Sequence, residues 1–171
     1  NVVTAFTEGK VGGKVIGDQG TAPKKVLYLK GSQSKEFSKE PTQFVTLIPT
    51  VYNADTLGIR PDLIKRPISS WSELLNPEFK GKASILNIPS IGIMDAAMVV
   101  EAMGEYKYPD KGNMTKKEID LTMKIFTEAK KAGQFRAFWS DFNESVNLMA
   151  SGEVVIQSMW SPAITAVRSQ G

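Results

Sequence analysis

Cysteine and histidine are both absent from the 171 residues. Without cysteine there can be no disulfide, thiolate nucleophile or cysteine-ligated metal, a composition compatible with an oxidising compartment. Without histidine the usual general base near neutral pH and the commonest metal ligand are missing. Ser-His-Asp, Cys-His and zinc hydrolase mechanisms are therefore excluded, and no metal or cofactor is expected. No apolar run approaches the roughly 20 residues that cross a bilayer. The first residues also lack the basic-then-apolar order of a secretion signal, so any export signal is expected to have been removed or excluded. An excess of one charge is missing too: 21 Lys and Arg stand against 18 Asp and Glu. These charges are interspersed along most of the chain, and no nucleic-acid partner is expected.

What is present is an ordinary globular composition, with 42% apolar and 23% charged residues. A chain of this length buries roughly 70% of its unfolded surface around one core. Residues 1–43 are rich in Gly, Lys, Ser and Thr and read as an approach segment with one strand near Val26–Leu29. Phe44 to Tyr52 reads as extended, broken at Pro49. Ser70-Trp71-Ser72-Glu73 has capping-box spacing and opens a short helix that Asn76-Pro77 stops. Ala83–Leu86 is an apolar run short enough for a buried strand. A helix follows from Pro89-Ser90 to about Met103, with Gly104 as its left-handed terminator.

Thr115-Lys116-Lys117-Glu118 is a second capping box, opening a helix with Ile119, Met123 and Phe126 on one stripe. Asp141 to Glu144 repeats the spacing and introduces a helix to about Ala150. Val154–Ser158 is the next strand, and Ser161-Pro162 places a cap before proline at the start of a last helix. This alternation predicts an α/β domain with helices covering a mainly parallel or mixed sheet.

Three segments together resemble the polyamine-binding branch of the family 1 extracellular solute-binding proteins. They are Ile48-Pro49-Thr50-Val51-Tyr52-Asn53 through Gly58, Ser70-Trp71 through Lys82, and Ser151-Gly152-Glu153-Val154 through Trp160. The middle piece, Ser-Trp-x-x-Leu-x-x-Pro-x-Phe-Lys-Gly-Lys, is the most specific. The resemblance implies a two-lobed fold in which strands cross between α/β lobes and a ligand is sealed in the cleft. Residues 44–171 would be mainly the second lobe, with a crossover strand near 48–53. It also implies a monomeric, periplasmic or extracellular capture component that delivers a small-molecule solute to an ABC permease in the membrane.

Three parts of this chain are expected to form the cleft. Tyr52 and Asn53 resemble the hinge aromatic and its neighbour, Tyr52 either covering a ligand face or packing between layers. Asn87, Ser90, Ile91 and Gly92 occupy a strand-to-helix turn, where ligands of open α/β sheets gather. Free amides of Ile91, Gly92 and Ile93 could bind an oxygen there, or Gly92 could simply allow close packing. Trp160, followed by Ser161, stands where the family has a cleft tryptophan, and a ring there offers dispersion and cation–π attraction. Trp139 either adds to this aromatic wall or belongs to the core.

Polyamine binders carry acidic residues in the turn occupied here by Asn87 and Ser90-Ile91, and an ammonium without a carboxylate partner is costly to desolvate. Asp141 and Glu144 either replace those acids or serve as cap and partner. The expected ligand is a polyamine-like or other amine or carboxylate compound. The rival readings are a sensory domain of a regulatory protein, an enzyme built on a carboxylate pair such as Glu101 and Glu105, and iron capture through tyrosines.

Overall fold

The computed structural model describes residues 10–11, 14–15, 27–47 and 53–170. Its contacts divide the chain into two units, 1–52 and 53–171. In the first, Lys10–Val11 (β1) pairs antiparallel with Lys14–Val15 (β2), and Leu27–Tyr28 (β3) with Val45–Leu47 (β4). The Thr42 hydroxyl donates to the Leu29 carbonyl at 2.7 Å and ties the loop between β3 and β4. Tyr52 and the rest of the predicted crossover segment before Asn53 lie outside the described residues.

The second unit is built on four strands: Asp55–Ile59 (β5), Ala83–Leu86 (β6), Phe135–Trp139 (β7) and Ile156–Trp160 (β8). They lie in the order β5-β8-β6-β7. Strands β6, β7 and β8 run parallel, while β5 runs antiparallel to β8. The carboxyl ends of three strands and the amino end of β5 therefore share one edge.

Helices complete the layers: Pro89–Ala102 (α1), Lys116–Lys131 (α2), Phe142–Ala150 (α3) and Ser161–Arg168 (α4). Side chains alternate faces along a strand, and the core divides accordingly. Ala83, Ile85 and Ile156 pack with Val99 and Val100 of α1, whereas Met159 packs with Val146 and Met149 of α3 and Ala163 of α4. This is the mixed α/β lobe expected from the alternation of elements. Strand β6 is buried along its whole length, and a strand covered on both faces reads as an apolar run in sequence.

The capping spacings have unequal outcomes. Thr115 and Glu118 form both halves of a capping box, with Glu118 Oε2 accepting from the Thr115 amide at 2.6 Å. That amide, and next the Thr115 hydroxyl, hold the Glu118 carboxyl below its ordinary range. Thr115→Ala should lower unfolding stability by about 1 kcal/mol, while Thr115→Ser retains most of it, as urea midpoints would reveal. At Ser70 the hydroxyl caps only a 3-10 turn through Ser72. Glu73 instead forms a two-pronged pair with Arg66 at 2.7 and 2.8 Å.

The stripe expected on α2 is turned. Phe126 is buried, but it shares the inner face with Glu118 and Thr122, whereas Ile119 and Met123 remain 37% and 49% exposed. Tyr106 and Tyr108 account for this rotation. Tyr108 shares a 2.5 Å hydrogen bond with Thr122, and Tyr106 donates to Glu118 at 3.3 Å. Polar groups can thus replace apolar ones on the inner face because each has a partner.

Candidate functional site

The sheet edge where β6, β7 and β8 end is also where α1, α3 and α4 begin. Nearly all described candidate residues lie there. Asn87 follows β6, and its amide donates to the Trp139 carbonyl at 2.7 Å, extending the β6–β7 ladder. Ser161 follows β8, its amide donating to the Ala54 carbonyl at 2.9 Å and its hydroxyl accepting from the Ala54 amide at 3.3 Å. This second contact replaces the expected role of Ser161 as a helix cap: α4 already includes Ser161 and follows Trp160 without a side-chain cap. Asn53 is exposed beside Ala54.

Trp160 is the last residue of β8, not a residue beyond it, because the strand runs two positions later than the expected Val154–Ser158. It is partly exposed, and its ring meets Trp139 edge-on with centroids 5.1 Å apart and planes at 87°. Trp139 itself is fully buried, with its Nε1–H donating to the Ser158 carbonyl at 3.0 Å. Trp139 is thus a core ring supporting a rim ring.

The Asn87–Gly92 turn differs from its expected chemistry. The amides of Ile91 and Gly92 both donate to the Ile88 carbonyl, at 3.0 and 2.7 Å, so they are not free. Gly92 is buried so tightly that an added Cβ would stand 2.2 Å from the Leu86 carbonyl oxygen. The tight join of β6 to α1 explains both features. Ser90 is exposed and Ile91 partly so. Asn87 and Gly92 line a groove of about 380 Å³ whose other walls include Ile88, Ile93, Met123 and Phe138. Such a lining suits hydrocarbon better than a hydrated polar solute.

Asp141 and Glu144 are occupied by α3. Asp141 Oδ1 accepts from the Glu144 amide at 3.0 Å, and Glu144 Oε2 from the Ser140 amide at 2.8 Å. Other acids stand at the edge. Asp55 is the register partner of Trp160, and burial raises its carboxyl above the ordinary range. Asp95 of α1 is only 2% exposed. Burial, and next the charge of Asp55, push its carboxyl up to about 7 against the opposing Ser158 hydrogen bond. Among the described residues, no basic side chain lies within ion-pair distance of either acid. Neither Asp55 nor Asp95 is among the residues that the sequence marks for the cleft. The antiparallel register of β5 on β8 sets Asp55 opposite Trp160, and that pairing has no local sequence signal.

A sequence profile described as bacterial extracellular solute-binding protein matches residues 24–171. The chain belongs to this family. It is 30% identical over 127 residues to the spermidine/putrescine-binding periplasmic protein of Escherichia coli K12, covering 72% of this chain and 33% of that protein. Among solved structures, the TpPotD lipoprotein of Treponema pallidum is similar with a TM-score of 0.56 and 16% identity, covering 70% of this chain and 34% of the other. The spermidine/putrescine ABC transporter substrate-binding protein PotD of Streptococcus pneumoniae gives 0.54 and 13%, covering 68% and 33%. These structural likenesses establish the fold. The chain spans about a third of the length of the relatives it matches. Among the described residues, no helix is long and apolar enough to cross a membrane.

Proposed function

We propose that this solute-binding chain supplies one wall of an interlobe cleft that captures a small polar solute bearing an amine and presents it to an ABC permease. The observation that carries the reading is Trp160, partly exposed at the carboxyl edge of the sheet and paired in register with Asp55. An aromatic face attracts an ammonium, and a carboxylate neutralises it. The spermidine- and putrescine-binding relatives support the amine, as does the absence of any nearby cation for Asp55 among the described residues. Asn53 and the rim at Ser161 would flank the solute. The reaction is capture and release, with no bond made or broken. Closure would follow if solute contacts are better in the closed form than in the open one.

Calorimetric titration of the full-length protein with spermidine, putrescine, amino-acid derivatives, opines and neutral sugars tests this reading. Amines should bind and neutral sugars should not; binding confined to sugars would reject it. Trp160→Ala should weaken amine binding by about 2- to 30-fold, from a cation–π contribution of roughly 0.5–2 kcal/mol. The melting transition should survive in this variant. Unchanged affinity would remove Trp160 from the site.

A further inference from the structure

We propose that Trp139, buried and out of reach of any solute, is a positioning residue that fixes the orientation of Trp160. This rests on the reading of Trp160 as a solute contact. Trp139 is held at two points. Its carbonyl accepts from Asn87 at 2.7 Å at the end of the β6–β7 ladder. Its indole reaches past β6, the strand between, and donates Nε1–H to the Ser158 carbonyl of β8 at 3.0 Å. Full burial leaves the ring no solvent-facing alternative.

The anchored indole meets Trp160 at 5.1 Å and 87°, the edge-to-face geometry that aromatic quadrupoles favour. An unsupported ring at a rim samples several rotamers, and a solute must then bear the entropy of choosing one. A ring already held in place avoids most of that cost. The hydrogen bond to Ser158 matters in the same way: it spans the sheet and ties the support to the strand that carries Trp160.

The test uses full-length protein labelled with 5-fluorotryptophan, the Trp160 resonance being assigned with Trp160→Phe. Trp139→Leu removes the aromatic edge, and Trp139→Phe keeps a ring without the Nε1–H donor. In the Leu variant the Trp160 line should move towards its unfolded position, with a larger H2O/D2O solvent shift. Affinity for spermidine or for the best-binding amine should fall by about 3- to 10-fold. The Phe variant should fall between Leu and parent on both measures. A Trp160 resonance with unchanged solvent shift in folded Leu and Phe variants would overturn the proposal, even with a lowered melting temperature. If the Leu variant does not fold, the Phe variant decides by the same solvent shift. The resonance is read without ligand, so a parent that binds no amine would reject the functional reading alone.

Discussion

Asp95→Asn is expected to make the protein harder to unfold at pH 8, by about 2–4 kcal/mol, and to change little at pH 4. Burial pushes the carboxyl up to about 7 in the folded protein, well above the ordinary aspartate value of about 3.9. Its charged form is thus disfavoured by folding, and the folded state binds a proton that the unfolded chain has lost. Stability contributed by this residue is full below about pH 4, falls as pH rises towards 7, and is level above that. Asparagine keeps a similar shape and a partner for Ser158 but has nothing to ionise. Guanidinium midpoints at pH 4, 6 and 8 would trace the difference. Parallel curves for parent and variant would refute the assignment. Asp55→Asn serves as a second arm, since the charge of Asp55 is the next contributor after burial. Removing it should lower the pH at which the Asp95-dependent loss levels off and make that loss smaller, with its onset near pH 4 unchanged.

Gly92→Ala should be strongly destabilising, on the order of 3 kcal/mol or more. Intrinsic propensity predicts the opposite sign, since alanine inside a helix is favoured over glycine by about 1 kcal/mol. The contact decides between them. The new Cβ would lie 2.2 Å from the Leu86 carbonyl oxygen and 3.1 Å from its carbon, both backbone atoms of a buried strand. Relief requires the first turn of α1 to lift away, straining the adjacent Asn87-to-Trp139 bond. Ser90→Ala, at an exposed position of the same turn, is the control and should stay within about 0.5 kcal/mol. A stabilised Gly92→Ala protein would mean that α1 sits further from β6 than the structure has it.

Legibility varied with how local the determining physics was. The Thr115–Glu118 box, the short β6 run, apolar except for Ser84, and the glycine after α1 each act within a few residues, and each is readable. Strand β5 is not: Asp-Thr-Leu-Gly-Ile contains two residues disfavoured in strands. Its Gly58 is explained only by Met159, whose sulfur would lie 2.7 Å from an added Cβ. Strand β7 does not stand out as an apolar run, because Arg136 interrupts Phe135–Trp139 and the segment lies between a helix stop and a helix cap. The turned stripe of α2 depended on Tyr106 and Tyr108, which come from outside that helix. At the site, Trp160 was visible through resemblance and Asn87–Gly92 through the strand-to-helix join. Asp55 and Asp95 depend on the antiparallel pairing of β5 with β8 and on burial, neither of which a single sequence displays.

The pairing of β5 with β8 also sets an order of events during synthesis. Ala54 and Ser161, which close the end of that ladder, are 107 positions apart in the chain. At translation rates of about 5–20 residues per second, β5 emerges roughly 5–20 seconds before its neighbour exists. Until then its backbone groups form an open edge able to pair with other chains. The aromatic rim can be completed only after this long loop closes, a slow type of step. Intermediates with β5 unpaired should therefore be the form that chaperones or aggregation encounter first.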